Sequence, residues 1–390
     1  MHTRRVSTSL SDGRTIANLD IDTFFAAVEI RDNNHLRERP LIVGGSHARG
    51  IVSSCSYEAK RFGIHVGMPI KVAMKRCPEA TILQGDMDKY KQASVLITEI
   101  ISEEAPVFEK AAIDEFYLDL SGMDRFMSSW QWSLELQERI QRESGLNISL
   151  GMAANKLVSK VGVNLKQPKA QVCIDTGYER GFLAPLPLRK LPGIGSKTQH
   201  KLITMGIKKV GLLAQIPPAL LLREFGKTGQ KLWQKANGID RSPVIPYRSA
   251  KSISRTHNFQ IDTIDTSQLR AVITHLTSLL GFELRQSGKL ASKLTVKLRY
   301  TDGNTYSRQA RMAHTAVDNR LIPLAIEQFD LLFQRRQLVR MVGVKLDDLA
   351  EGLPQVDLFR DTGKEIALLQ AMDKIRSRFG EEAVRLANIG

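Results

Sequence analysis

The chain has 390 residues, 42% of them hydrophobic and 25% charged, and its formal net charge is +15. That length predicts two to four domains at roughly 100–200 residues each, the composition is that of a globular protein, and so large a surplus of cations points to a polyanionic partner, nucleic acid before others. No apolar run reaches the roughly 20 residues that span a bilayer, the polar start MHTRRVSTSLSDGRT lacks the apolar stretch of a secretory signal, and Cys55, Cys77 and Cys173 are too few and too scattered for a disulfide framework or a zinc site.

Residues 1–14 are polar and read as disordered. TIANLDID is a short apolar strand ending in acid, and FFAAVEIRDN follows with helical spacing. PLIVGG and GIVSSCS are two further strands. SYEAKRFGI opens a helix, MPIKVAMKRCP gives a short one closed by Pro78, and KYKQASVLITEIISEEA is strongly amphipathic. The strands VFEKAAI and EFYLDLSG meet around Asp114 and Glu115. The helix WSLELQERIQRES, the strand NISLGMA and the helix NKLVSKVGVNLK complete an α+β domain over 15–180. Residues 181–240 read as all helical, with a Pro-Gly-Ile-Gly turn inside LPLRKLPGIGSKTQHKLITMGI, and 241–249 are rich in turn formers and read as a linker. From 250 to 349 the order is β-α-β-β-α-β, a ferredoxin-like ground plan, with Lys293, Lys297, Arg299, Arg308 and Arg311 on its strands. Residues 350–390 form a tail ending in the amphipathic stretch KEIALLQAMDKIRSRFGEEAV.

Asp20 and Asp22 end an apolar strand, and Asp114 and Glu115 sit where two strands meet. Carboxylates placed so need something to balance their charge. Magnesium binds through a few carboxylates plus substrate phosphates, and two such ions roughly 3.5–4 Å apart clamp the attacking and leaving oxygens of an in-line phosphoryl displacement. Taken alone, the two pairs fit exposed turn residues equally well.

In their order and spacing, ANLDIDTFFAAVE, GIVSSCSYEAKRFGI and AAIDEFYLDLSG resemble the Y-family DNA polymerases. The resemblance implies a multidomain α+β right-hand polymerase with palm, fingers, a helical thumb carrying a helix–hairpin–helix, and a little finger. It implies template-directed, low-fidelity translesion synthesis with two magnesium ions. Asp20 and Asp114 would hold both ions, Glu115 would complete the first site and assist deprotonation, and the carbonyl of Ile21 would face the second. The counterpart of Asp22 is structural.

The same resemblance makes Phe25 the steric gate, a ring against which a ribonucleotide 2′-hydroxyl loses its hydration without a replacement bond. Phe24 is either its neighbour in the pocket or a core residue. Tyr57, Lys60 and Arg61, on the first turns of a helix, suit a triphosphate, and Ser54 matches a position that often contacts phosphate. Three positions depart from the family pattern. Lys60 stands where arginine is usual and lacks its bidentate fork. Gln167 stands where a lysine is usual, so either Lys166 takes its place or nucleotide binding is weaker. Ala112 replaces a serine.

LPGIGSKTQHKLITMGI resembles a helix–hairpin–helix in which Gly193 and Gly195 permit a tight turn, with Lys197 and Lys201 near a phosphate; such contacts position a duplex without reading it. The cationic strands of the last domain would neutralise phosphates, giving steep salt dependence. Gln355, Leu358 and Phe359 of QVDLF resemble the pentapeptide that docks on the sliding clamp (β clamp). Expected partners are primer–template DNA, deoxynucleoside triphosphates and the clamp, with no membrane, for a monomer at the nucleoid of a bacterial cytoplasm. Two alternatives stay open: a clamp-binding DNA module that has lost turnover, to which Gln167, Lys60 and Ala112 speak, and a palm-fold nucleotidyl cyclase, which has no need of the helix–hairpin–helix, basic domain or clamp peptide.

Overall fold

The computed structural model describes residues 13–45, 49–105, 107–247, 251–352, 362–381 and 383–384. The chain divides into two units, Met1–Tyr247 and Arg248–Gly390. In chain order the first unit holds β1 (Ile16–Ile21), α1 (Phe24–Asp32), β2 (Leu41–Gly44), β3 (Val52–Cys55), α2 (Tyr57–Arg61), α3 (Ile70–Arg76), β4 (Thr81–Gln84), α4 (Met87–Glu104), β5 (Phe108–Lys110), β6 (Glu115–Asp119), α5 (Ser129–Ser144), β7 (Ile148–Ala153), α6 (Lys156–Lys166), β8 (Gln171–Cys173), α7 (Glu179–Leu183), α8 (Ser196–Thr204), α9 (Val210–Gln215), α10 (Pro218–Phe225) and α11 (Lys227–Ala236).

β1 is the middle strand of a five-stranded sheet ordered β5-β6-β1-β7-β8. Both of its faces are covered, so its sequence is nearly continuous in apolar residues, and only Asp20 within it is not buried. One face packs Leu19, Ile21, Phe116 and Leu150 against Phe24, Ile97 and Ile140 of α1, α4 and α5. α4 begins at Asp86, whose carboxylate accepts from the amides of Asp88 and Lys89 and so satisfies two of the helix's orphan donors. The other face lies under α6. Asn18 of β1 and Gly151 of β7 are register partners there, and a Cβ on Gly151 would run into the Ser159 carbonyl oxygen of α6. Glycine at this position therefore sets how closely α6 approaches the sheet.

A smaller sheet, β3-β2-β4, contains a parallel β2–β4 pair. Neither β4 nor β8 is legible from sequence pattern. Both are short, and both are made strands by parallel pairing to distant segments. β5 is shorter than the run VFEKAAI predicts: the amides of Ala111 and Ala112 both turn onto the Glu115 carbonyl, at 2.9 and 3.2 Å. The helices α7–α11 close over a separate core that includes Leu188, Leu202, Leu213, Leu221 and Leu232.

The stretch after α11, whose composition marks a linker, is bonded to the first unit as far as Tyr247. Arg14 donates to the Ser242 carbonyl at 2.7 Å, the Ile245 amide to Glu109 at 2.6 Å, and the Tyr247 amide to the Phe108 carbonyl at 2.9 Å.

The second unit holds β9 (Ser252–Thr263), α12 (Thr266–Gln286), β10 (Lys289–Tyr300), β11 (Thr305–Thr315), α13 (Asp318–Leu332), β12 (Val339–Glu351) and α14 (Thr362–Phe379). Its sheet is ordered β11-β10-β12-β9 with every neighbouring pair antiparallel. Leu294, Val296 and Leu298 alternate along β10 into a core with Ile273, Leu280 and Phe329 of the two helices. The tail helix α14 belongs to this unit. Arg285 grips Asp373 through two nitrogens at 2.6 and 2.9 Å while also reaching Asp318 at 2.6 Å, and Arg376, 3% exposed, donates to Ser278 at 3.1 Å. No described helix is long and apolar enough to cross a membrane.

The Gly151 contact makes the first test. Gly151→Ala forces α6 off the sheet and is expected to lower stability by about 1–3 kcal/mol, read by denaturant unfolding followed by circular dichroism.

Candidate active site

Antiparallel pairing of β1 with β6 puts Asp20 directly across from Glu115. The Ile21 amide donates to the Asp114 carbonyl at 3.0 Å, which holds the turn before β6 against the end of β1. Like charges directly opposite each other on a sheet are destabilising, so the surroundings of this pair matter. Glu115 is 7% exposed. Its Oε1 accepts from the Tyr117 hydroxyl at 2.6 Å and from the Asn18 amide at 3.2 Å. Its Oε2 meets the Lys160 ammonium at 2.6 Å. Asp20 accepts from the Gln167 amide at 2.8 Å.

Burial lifts the Asp20 carboxyl from its ordinary 3.8 to about 7, with Asp114 and Glu115 adding to the lift and Gln167 and Lys160 opposing it. Burial and then the Glu115 charge raise Asp114 as well. These are desolvation and like-charge repulsion acting together. Among the described residues, no group of three His, Cys, Asp or Glu side chains converges as a ready-made metal cage. The chemistry of the donor set nevertheless suits a hard divalent cation. Asp20, Asp114 and Glu115 carry oxygen donors whose mutual repulsion such an ion would relieve.

Asp22 has a different environment. It is 2% exposed, and its two oxygens accept from the Ser149 hydroxyl and the Lys169 amide, each at 2.7 Å. One oxygen thereby ties β7, through Ser149, and the other ties the α6–β8 loop, through Lys169, to the end of β1. Of the pocket residues expected beside it, Phe25 is half-buried and stacks on Tyr90 with centroids 4.5 Å apart. Phe24 is 3% exposed and lies in the core. Ser54 spends its hydroxyl inside the protein, donating to the Thr23 carbonyl at 3.2 Å and accepting from the Ala26 amide at 3.4 Å. Lys60 lies over the Tyr57 ring at 4.3 Å, a cation–π contact, and Arg61 is exposed. The Tyr57 hydroxyl is buried and faces Asp22; burial first, then the charges of Asp22 and Asp20, push its ionisation far up, so it stays a donor. At the α6 terminus Lys166 is exposed, while Gln167, the neutral residue, turns to Asp20.

The residues expected to meet DNA divide similarly. Gly193 has φ +95° and needs to be glycine, but Gly195 caps α8 in an extended conformation that any residue adopts. Lys197 is exposed on the first turn of α8. Lys201 is engaged within the helical region, at 2.7 Å from the Glu224 carbonyl, 3.3 Å from its carboxylate and 4.6 Å over the Phe225 ring. In the second unit Lys293 pairs across with Arg311, and Lys297 and Arg299 follow on the same face. Arg308 pairs with Val296, which puts it on the opposite, helix-covered face of an edge strand. Four of the five cations share one face, and Arg308 does not. Gln355, Leu358 and Phe359 lie outside the described residues.

Sequence reasoning did not single out Lys160, Tyr117, Asn18, Tyr90 or Glu29. Lys160 could have been found: it stands four residues after Lys156 on one helical face. Asn18, polar at the centre of an apolar strand and 0% exposed, was also a usable signal.

Carboxylates gathered where the neighbouring strands β1 and β6 meet, in one chain with a helical section and a basic β-α-β-β-α-β unit, make the layout of a right-hand polymerase. Residues 19–164 match the model of the impB/mucB/samB family, 250–358 that of the same family's C-terminal domain, and 189–240 that of a DNA polymerase-iota thumb domain. The chain is 34% identical over 376 residues to a DNA polymerase IV of Dehalococcoides mccartyi, covering 95% of this chain and 96% of the relative. It is 31% identical to DNA polymerase IV 1 of Bacillus subtilis, covering 95% and 92%. A solved Y-family DNA polymerase chimera of Dbh and Dpo4 superposes with a TM-score of 0.77 at 25% identity, covering 87% of this chain and 100% of that one. The chain belongs to the impB/mucB/samB family, the Y family of DNA polymerases.

The lifted Asp20 pKa gives a pH-dependent prediction. A carboxyl raised from 3.8 to about 7 contributes stability that is full below pH 3.8 and is lost as pH rises through 7. In chelator at pH 8, Asp20→Asn should therefore be more stable than the wild type, by about 1–3 kcal/mol. The difference should close toward pH 4 in a thermal unfolding series.

Proposed function

We propose that this DNA-directed DNA polymerase performs low-fidelity translesion synthesis by adding deoxynucleotides to a primer 3′-hydroxyl, with Asp20, Asp114 and Glu115 holding two magnesium ions. The observation that supports this reading is the Asp20–Glu115 register pair with Asp114 at the adjoining turn. When bound, the ions would lower the cost of the charge that develops as the 3′-oxygen attacks and pyrophosphate leaves. The rest of the work falls to the chain. Tyr117 and Asn18 keep one oxygen of Glu115 fixed, and the other, paired with Lys160, is the one that would be shared with a cation or a proton. Gln167 orients Asp20, and the Ile21 carbonyl is the remaining oxygen proposed at the second ion. Phe25 closes the sugar end of the nucleotide, with Phe24 behind it in the core. Tyr57, Lys60 and Arg61 take the triphosphate, helped by Lys166. Ser54 supports α1 from beneath through its bonds to Thr23 and Ala26. Positioning and fixed charge carry most of such a catalysis.

Gly193 and Lys197 of the helical region would hold the duplex by its phosphates, as would Lys293, Lys297, Arg299 and Arg311 along one sheet face. The peptide of Gln355, Leu358 and Phe359 would tether the enzyme to the sliding clamp by filling an apolar pocket on the clamp.

Primer extension tests the core of the reading. Asp114→Ala and Glu115→Ala should each lower extension on undamaged primer–template by at least about 100-fold while duplex binding is kept; a variant that extends like the wild type would remove that residue from the site. Deleting 355–359 should leave single-nucleotide insertion within about twofold and abolish stimulation by added clamp, measured as product length per binding event.

A further inference from the structure

The ring of Phe25 is backed by a second ring that is itself pinned. Phe25 and Tyr90 stack with planes 18° apart. Tyr90 is 1% exposed and rises from the first turns of α4. Gly85 packs so close that a Cβ there would lie 3.3 Å from the tyrosine ring. The Tyr90 hydroxyl donates to Glu29 Oε1 at 2.7 Å. Glu29 stands four residues after Phe25 on α1, so the two side chains share the helix face that meets α4. The second oxygen of Glu29 accepts from Lys89 at 2.7 Å, and Lys89 also pairs with Asp32 at 3.0 Å. With only 12% of its side chain exposed, Glu29 is held from both oxygens and in turn holds the tip of Tyr90. A ring buried among its neighbours and tied at its hydroxyl leaves Phe25 little room to retreat.

We propose that Glu29, acting through Tyr90, sets how strictly the nucleotide pocket refuses a ribose. Glu29 and Tyr90 are positioning residues for Phe25, and the inference rests on the reading of Phe25 as the ring that meets the sugar. A 2′-hydroxyl is excluded only as firmly as the ring it strikes is held. Loosening the tyrosine at its hydroxyl lets both rings tilt and admits the extra oxygen, with little effect on a deoxyribose that never touched that space.

The experiment is single-nucleotide insertion by the full chain on primer–template. kcat and KM are measured separately for the matched deoxynucleotide and ribonucleotide, with Phe25→Ala run alongside. Glu29→Ala and Tyr90→Phe are each expected to lower the deoxy-to-ribo ratio of kcat/KM about fivefold, the scale of one lost hydrogen bond. The change should come from faster ribonucleotide insertion, with deoxynucleotide kcat within about twofold. Glu29→Gln keeps an acceptor oxygen for the tyrosine and should hold the ratio near wild type. The double variant should lose no more than either single one, because both break the same bond. Tyr90→Phe removes one oxygen atom and keeps the test available if Glu29→Ala folds poorly. Wild-type ratios in Glu29→Ala and Tyr90→Phe, with discrimination lost in Phe25→Ala, would overturn the inference and leave the gate reading standing. Equal losses for both nucleotides would reduce Glu29 to a structural role and also overturn it. Unchanged discrimination in Phe25→Ala would remove the gate reading, and the inference with it.

Discussion

Two carboxylates face each other across the central strands of a sheet, and much of the surrounding structure exists to tolerate them. The pairing of β1 with β6 brings Asp20 and Glu115 into register, and the turn before β6 adds Asp114. In water such a cluster would screen itself; in a mostly buried place it repels and lifts its own protonation. The chain answers with donors from three elements. Lys160 and Gln167 come from α6 and its end, Asn18 from β1, and Tyr117 from β6. Each satisfies one oxygen, and only Lys160 brings a full positive charge. Negative charge remains in excess, which is what the proposed site for hard cations requires.

This arrangement costs stability where it serves chemistry. A site that discards a destabilising acid gains in folding and loses its ligand, the usual opposition between a stable fold and a working site. The close seat of α6 on the sheet, set by Gly151 beneath Ser159, keeps that opposition within bounds by bringing Lys160 and Gln167 into range. The same logic reaches the proposed nucleotide side, where the half-buried Phe25 leans on a tyrosine tied to Glu29.

Much of the ground plan was legible. Apolar runs, helical spacing and turn formers marked most strands and helices, and the β-α-β-β-α-β order of the last unit was plain. The strands that escaped, β4 and β8, are three or four residues long and become strands through parallel partners far along the chain. The resemblance to the Y family, and not the spacing of the acids alone, singled out Asp20, Asp114 and Glu115 as a group. Spacing could not distinguish Lys201, tied to Glu224, from the exposed Lys197, because both are lysines on one helix. That Arg308 and Arg311 point to opposite faces follows from their odd separation on one strand, whose side chains alternate with period two.

The amino-acid sequence by itself determined which residues are candidates for the chemistry, since carboxylate, aromatic and cationic side chains are properties of composition and order. It also determined the family, because several motifs recur in one order over the length of the chain. Tertiary structure alone decided which donors stand against which acceptors. Gln167 meets Asp20 across 147 positions of chain, and Lys160 meets Glu115 across 45. Such contacts depend on strand register and on the depth at which a helix seats. Both are set by packing over the whole sheet, and no local pattern records them.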